Sequence, residues 1–147
     1  MNLKGDLIYM NKIKHEIQEV LLELGVPANL MGFSYIAYAE ELVFQDEEYM
    51  HQITNWLYVD IAKHYHTKAR CVERCMRTAI VTAWQYGNPE WKAAVFKNSV
   101  NPIKGIPTNS QFIARMYFYL AEKLESEEEN EKQNRICGEI GKWQTCG

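Results

Sequence analysis

Apolar residues recur at helical spacing along almost the whole of this 147-residue chain. The first run of this kind contains Ile13, Ile17, Val20, Leu21 and Leu24. Such spacing places one apolar stripe on one face of a helix. No stretch alternates apolar and polar residues in the way that is typical of a strand, so we expect no sheet. The pattern predicts an all-α fold, a compact bundle of about six helices.

Residues that stop helices divide the chain into these segments. Gly25 and Pro27 end the first helix, and Gly87 and Pro89 bracket a later boundary. The predicted helices after the first cover residues 31–44, 47–56, 58–65, 69–86 and 89–96, with a last helix from Thr108. In the segment 47–56, Met50, Ile53 and Trp56 are expected to point inward. A loop is predicted from Lys97 to Pro107.

The last predicted helix begins with a local capping signal. Thr108 and Gln111 have the spacing of a capping box, in which each side chain bonds to the backbone N–H of the other residue. The apolar run that follows contains Phe112, Ile113, Met116 and Leu120. A helix start at Thr108 is therefore predicted from sequence alone.

The chain length suits one domain with a hydrophobic core. We predict an N-terminal extension at residues 1–10, a helical domain at 11–124 and an acidic polar C-terminal tail at 125–147. The acidic residues between Glu40 and Glu48 are interpreted as a solvated helix end. Neither a signal peptide from Met1 to Lys14 nor a membrane span of roughly 18 apolar residues is evident, so a cytoplasmic location is expected, with no membrane partner.

Charge is unevenly distributed along the chain. The formal net charge is -3, but from Tyr58 to Tyr86 five basic residues oppose two acidic ones. The basic residues are Lys63, Lys68, Arg70, Arg74 and Arg77, and the acidic ones are Asp60 and Glu73. A local basic region in an acidic chain is a feature of proteins that bind nucleic acid.

The same stretch has the layout of a helix-turn-helix. A short helix at 58–65 is followed by the turn His66-Thr67-Lys68 and a longer helix at 69–86. Small Ala62 and apolar Val72 stand where the two helices would touch. His66 replaces the glycine that is usual in the turn, and histidine tolerates a positive φ better than most residues.

The outer face of the second helix carries the candidate site. Arg70, Glu73, Arg74 and Arg77 are three or four residues apart and share one face, while Thr67, Lys68 and Cys71 lie at its N-terminal end. Arginine matches the guanine edge with two hydrogen bonds. The alternative, left open, is a solvated face with a Glu73–Arg77 ion pair at i,i+4 spacing.

The chain resembles the C-terminal effector domain of the sporulation response regulator, the stage-zero sporulation protein A family. The similar text is spread, in order, over the stretch from Leu22 to Leu124, about two thirds of the chain. It comprises residues 24–28, 32–33, 57–58, 60–63, 72–74, 77, 79–80, 83–84, 87–88, 107–110 and 112–114.

This resemblance implies a six-helix domain that binds double-stranded DNA as a transcription regulator, often with two domains on adjacent sites. By position it implies DNA contacts for Arg70, Cys71, Glu73, Arg74, Arg77 and Thr78. Two positions depart from the family pattern: Arg70-Cys71 replaces Ser-Arg, and Thr78 replaces histidine. We expect DNA binding with an altered base preference. Too few residues precede the first helix for a receiver domain, so phosphorylation control is not expected.

Other interpretations of the chain stay open. Cys71, Cys75, Cys137 and Cys146 are a candidate metal set, although structural zinc prefers closer pairs. The acidic stretch from Glu125 to Glu131 either solvates the tail or folds back on the basic face. The chain is alternatively a protein-binding module that modulates a full-length regulator. No catalytic motif appears, and we expect no enzyme activity, cofactor, metal or small-molecule substrate.

Overall fold

A computed structural model describes residues 3–99 and 105–144, and in these ranges the chain forms six α-helices and no strand. They are α1 (Leu3–Glu23), α2 (Met31–Gln45), α3 (Tyr58–His64), α4 (Ala69–Tyr86), α5 (Pro89–Phe96) and α6 (Asn109–Gln144). The prediction of an all-α fold is confirmed. The chain divides into two compact units, Met1–Tyr117 and Phe118–Gly147.

The core of the first unit is built from the apolar stripes that the periodicity predicted. Fully buried side chains from four helices form it: Ile13, Ile17 and Leu21 of α1, Ile36, Ala39 and Val43 of α2, Val72, Met76 and Ile80 of α4, and Phe112 and Ile113 of α6. Burying a side chain of this size contributes about 1.5–3 kcal/mol. This core fixes the position of α4, the helix with the basic outer face.

The first helix begins earlier than the buried stripe. The sequence predicted an extension at residues 1–10, whereas α1 starts at Leu3. Leu7 and Ile8 are 63% and 69% exposed, so this part of α1 has no buried face. The apolar residues at helical spacing that predict this helix begin only at Ile13, where its buried face also begins.

The segment predicted as a third α-helix at 47–56 is not one. It consists of a 3-10 turn, Glu47–Met50, and a single π-helical turn, Ile53–Leu57, that runs into α3. Leu57 N–H donates to the Gln52 carbonyl at 3.1 Å. The expected inward Trp56 is 45% exposed, and the buried residue is Leu57 instead. The wider π turn rotates the side chains away from the positions that α-helical spacing predicts.

Two tyrosine hydroxyls hold this irregular segment in place. Tyr49 Oη donates to Asp60 Oδ2 at 2.6 Å, and Tyr117 Oη donates to Glu47 Oε1 at 2.5 Å. The hydrogen bond to Asp60 raises the pKa of Tyr49 to about 12. The segment is therefore tied both to α3 and to the first part of α6.

A glycine allows α2 and α4 to cross closely. A Cβ atom built on Gly32 would overlap the Cys75 carbonyl oxygen and lie 2.7 Å from Ala79 Cβ. The C-terminal ends of α1 and α4 meet in a similar way, because a Cβ on Gly25 would lie 2.5 Å from Gly87 Cα. These contacts are between backbones, so they set how near α4 lies to its neighbours.

The acidic run at residues 40–48 is not solvated throughout. Glu40 is 0% exposed, and neither of its carboxyl oxygens has a hydrogen-bond partner among the described residues. Burial raises the pKa of Glu40 well above its usual value. The interpretation of the whole run as a solvated helix end is therefore wrong for its first member.

The start of α6 forms as the sequence predicted. Thr108 N–H donates to Gln111 Oε1 at 3.0 Å, and Gln111 N–H donates to Thr108 Oγ1 at 3.1 Å. In the second unit the acidic tail continues this helix to Gln144. Part of the predicted loop Lys97–Pro107, at residues 100–104, lies outside the described residues. Within the described ranges, no helix is long and apolar enough to cross a membrane.

Candidate nucleic-acid interface

Helices α3 and α4 and the turn between them form the predicted helix-turn-helix. His66 adopts φ 54°, the left-handed conformation expected where glycine is usual. Thr67 N–H donates to the Ala62 carbonyl at 2.9 Å and closes the end of α3. Val72 N–H donates to the Lys68 carbonyl at 3.2 Å and opens α4. Local hydrogen bonds thus set the reversal of direction between the two helices.

The contact between the two helices is small and apolar, as predicted. Val72 and Ile61 are fully buried, and Ala62 is nearly so. Tyr65, at the end of α3, packs edge-on against Tyr35 and Tyr38 of α2, with ring centroids 5.1 and 5.9 Å apart. The aromatic contacts fix α3 on α2, and α4 is fixed on both.

Five of the eight predicted site residues lie exposed together on the outer side of α4 and its N-terminal end. They are Lys68, Arg70, Glu73, Arg74 and Arg77. Four of the five are cationic. The alternative of a solvated face with a Glu73–Arg77 ion pair stays open at this point.

The other three predicted residues have structural contacts. Burial raises the pKa of Tyr35, and Cys71 and Thr67 lie close enough to its hydroxyl to contribute, so both are on the α2 side of α4. Thr67 and Cys71 are half-buried. Thr78 is exposed, but its hydroxyl donates to the Arg74 carbonyl at 3.1 Å. Thr67 and Cys71 therefore present less free surface to a ligand than the other five, and the Thr78 hydroxyl proton is engaged within α4.

One side chain for which the sequence predicts no role ties α4 to two other helices. Asn109, at the start of α6, is 7% exposed. Its Nδ2 atom donates to the Glu73 carbonyl and to Tyr58 Oη, both at 3.1 Å. Glu73 lies in the middle of the exposed face, so this amide holds the face against α3 and α6. The residue lay within the similar text, but its contacts span 36 and 51 positions in sequence.

A cavity of about 460 Å³, the flanking cavity, lies beside the exposed face. One wall is Glu73 and Arg77 of α4. A second wall is the start of α6 at residues 108–110, and the third is the irregular segment at residues 50–55. The sequence does not predict this cavity, because its walls come from distant parts of the chain.

The cysteines form no metal site in the structure as far as it is described. Cys71 and Cys75 are half-buried, Cys137 is exposed, and all three are free thiols. Cys146 lies outside the described residues. No group of three or more His, Cys, Asp or Glu side chains that could hold a metal ion occurs among the described residues.

The chain also matches a known protein family. The family described as the sporulation initiation factor Spo0A C terminal matches residues 17–120. The matched range contains α2 to α5, the whole helix-turn-helix and the start of α6. It also contains every residue of the exposed face and the three walls of the flanking cavity.

Proposed function

Because this chain belongs to the family of C-terminal domains of sporulation initiation factor Spo0A, which are DNA-binding regulatory domains, we propose that it is a sequence-specific DNA-binding transcription regulator. In this proposal α4 lies in the major groove of double-stranded DNA. Arg70, Arg74 and Arg77 contact guanine edges and phosphates, and Glu73 accepts from cytosine amino groups.

The observation that carries the proposal is the exposed, cationic face of α4. Its side chains are exposed while the opposite side of the same helix is fully buried, at Val72, Met76 and Ile80. A helix packed in this way presents one face to a ligand in a fixed orientation. Arginine side chains on that face favour DNA, because their planar fork donates two hydrogen bonds to guanine.

Replacing Arg74 by alanine is expected to weaken binding to a selected specific site by roughly 5–150-fold, or about 1–3 kcal/mol. The loss follows from one missing arginine–base contact. The measurement is fluorescence anisotropy on specific and scrambled duplexes between 50 and 200 mM salt. The wild-type affinity should fall steeply with salt, by about 0.9 in log–log slope for each phosphate contact.

The matched control is Arg135→Ala, an exposed arginine outside the matched family range. It should leave specific affinity close to wild type. Equal effects of the two substitutions would contradict a base-contacting role for Arg74.

We further propose that base preference differs from that of the family. Arg70 occupies a position one residue before the usual arginine, about 100° around the helix. Thr78, where the family has histidine, uses its hydroxyl within α4. In vitro selection of bound duplexes tests this proposal, and recovery of the unaltered family consensus would contradict it. Two copies of the selected site in tandem would support binding of paired domains.

The alternative function is a protein-binding module that keeps this fold and modulates a full-length regulator. The net charge of -3 favours it, and so do Leu7 and Ile8, which α1 leaves exposed. Complete absence of DNA affinity at low salt would favour this alternative over DNA binding. Mixed complexes with a full-length regulator, measured by sedimentation, would then support it.

A further inference from the structure

The flanking cavity is continuous with the proposed DNA-binding face, since Glu73 and Arg77 belong to both. We propose that this cavity receives phosphates of the DNA backbone, and that Asn55 and Ser110 on its two outer walls contact them. The inference rests on the proposed function. It adds a second contact surface, formed by elements outside the helix-turn-helix, to the face of α4.

The position of the cavity follows from the size of a DNA groove. A helix with its side chains is about 10–12 Å wide, and it fills a major groove that is about 12 Å wide. A sugar–phosphate strand therefore runs along each side of a helix in the groove. The walls at residues 50–55 and 108–110 stand beside α4, so they would meet one of these strands.

The chemistry of the outer walls suits phosphate oxygens. Asn55 offers an amide and Ser110 a hydroxyl, and both side chains are exposed. Arg77 adds a cation from the α4 wall. Of the described residues that line the cavity, Glu73 is the one with a carboxylate. Neutral donors with one cation are the side chains that commonly position a protein on a DNA backbone.

The start of α6 contributes main-chain donors to the same wall. The first N–H groups of a helix have no acceptor within the helix, and they carry a partial positive charge. The capping box uses the N–H groups of Thr108 and Gln111 and leaves those of Asn109 and Ser110 outside it. Asn109 and Ser110 both line the cavity, and free N–H groups at the start of a helix suit a phosphate.

Asn109, which lines the cavity, also has a buried polar atom without a partner among the described residues. Both donor contacts of its Nδ2 are filled, but Oδ1 is buried and has no partner in the described part of the chain. Buried polar atoms in proteins are nearly always hydrogen-bonded, often to ordered water.

Charge substitutions at Asn55 test the outer wall formed by the irregular segment. Asn55→Lys should strengthen binding to specific and scrambled duplexes by the same factor and steepen the log–log salt slope by about 0.9. Asn55→Glu should weaken both duplexes equally. The matched controls are Asn11→Lys and Asn11→Glu, on an exposed asparagine of α1 away from the cavity. We expect smaller changes in DNA affinity for the two Asn11 variants than for the two Asn55 variants.

Ser110→Asp tests the wall at the start of α6 and separates binding from folding. An acidic residue in the first turn favours the helix, so the melting temperature should stay level or rise. The added carboxylate faces phosphate, so affinity for both duplexes should fall. A fall in affinity together with a lower melting temperature would overturn the interpretation for this wall, because disturbed folding would then explain it.

The outcomes distinguish this inference from the proposed function. Suppose that the wild-type chain binds DNA, that Arg74→Ala weakens this binding, and that the Asn55 variants change DNA affinity no more than the Asn11 variants do. The cavity then makes no phosphate contact, and this inference alone fails. If the wild-type chain has no DNA affinity at 50 mM salt, both fail. Equal effects of Asn55→Lys on specific and scrambled duplexes support a backbone contact, and an effect on one sequence only overturns it.

Discussion

Replacing Glu40 by glutamine is expected to remove a fall in stability that the wild-type protein shows as pH rises. Glu40 is fully buried and has no hydrogen-bond partner among the described residues, so the folded state favours its neutral form. Burial is the cause that raises its pKa. In the unfolded chain the same carboxyl titrates at its ordinary value, near 4.5.

The sign of the effect follows from proton counting. Between pH 4.5 and the raised pKa, the folded state keeps the Glu40 proton and the unfolded state has released it. The unfolded state therefore binds fewer protons, and the free energy of unfolding falls by up to about 1.4 kcal/mol for each pH unit. The contribution of neutral Glu40 to the free energy of unfolding is therefore present at pH 4.5 and is lost progressively as the pH rises above 4.5.

Urea unfolding at pH 5, 6, 7 and 8 measures this dependence. The difference between wild type and Glu40→Gln removes the contribution of the four histidines, which both proteins share. Glu40→Leu also removes the unsatisfied oxygens and should raise stability at pH 7 by about 1–3 kcal/mol. Glu128→Gln, at an exposed position of α6, is the control and should leave the profile unchanged. Parallel profiles for wild type and Glu40→Gln would show that the carboxyl is not held neutral.

Gly32→Ala is expected to destabilise the protein by about 1–3 kcal/mol, because the added methyl has no space where α2 crosses α4. Its carbon would overlap the Cys75 carbonyl oxygen and approach Ala79 Cβ to 2.7 Å. A backbone oxygen cannot move alone, so α4 must shift to relieve the overlap. We therefore expect DNA affinity to fall as well, because α4 carries the exposed cationic face.

The matched control is Gly138→Ala, also in a helix. A Cβ at Gly138 meets nothing within 4 Å, so alanine there should stabilise α6 by up to about 1 kcal/mol through its helix propensity. Urea unfolding at one pH and anisotropy on one duplex measure both variants. Similar stabilities for the two variants would contradict the close crossing of α2 and α4.

Short-range signals in the sequence determined most of the helical architecture. The bounds of α4 and α5 agree with the predicted 69–86 and 89–96, because stop residues and apolar spacing act within a few positions. The capping box at Thr108 and the left-handed turn at His66 are likewise local events. The exposed face of α4 followed from the same spacing, since residues three and four apart share a face.

Only the tertiary structure decided the features that depend on distant neighbours. Glu40 belongs to an acidic run whose sequence predicts a solvated helix end, yet in the folded chain it is fully buried. The π turn at Ile53–Leu57 replaced the predicted α-helix and moved Asn55 to the wall of the flanking cavity. Asn109 meets Glu73 across 36 positions. The spacing of apolar residues indicates which of them face a core. It does not indicate which backbone or side chain they contact there, and at α4 these contacts position the exposed face.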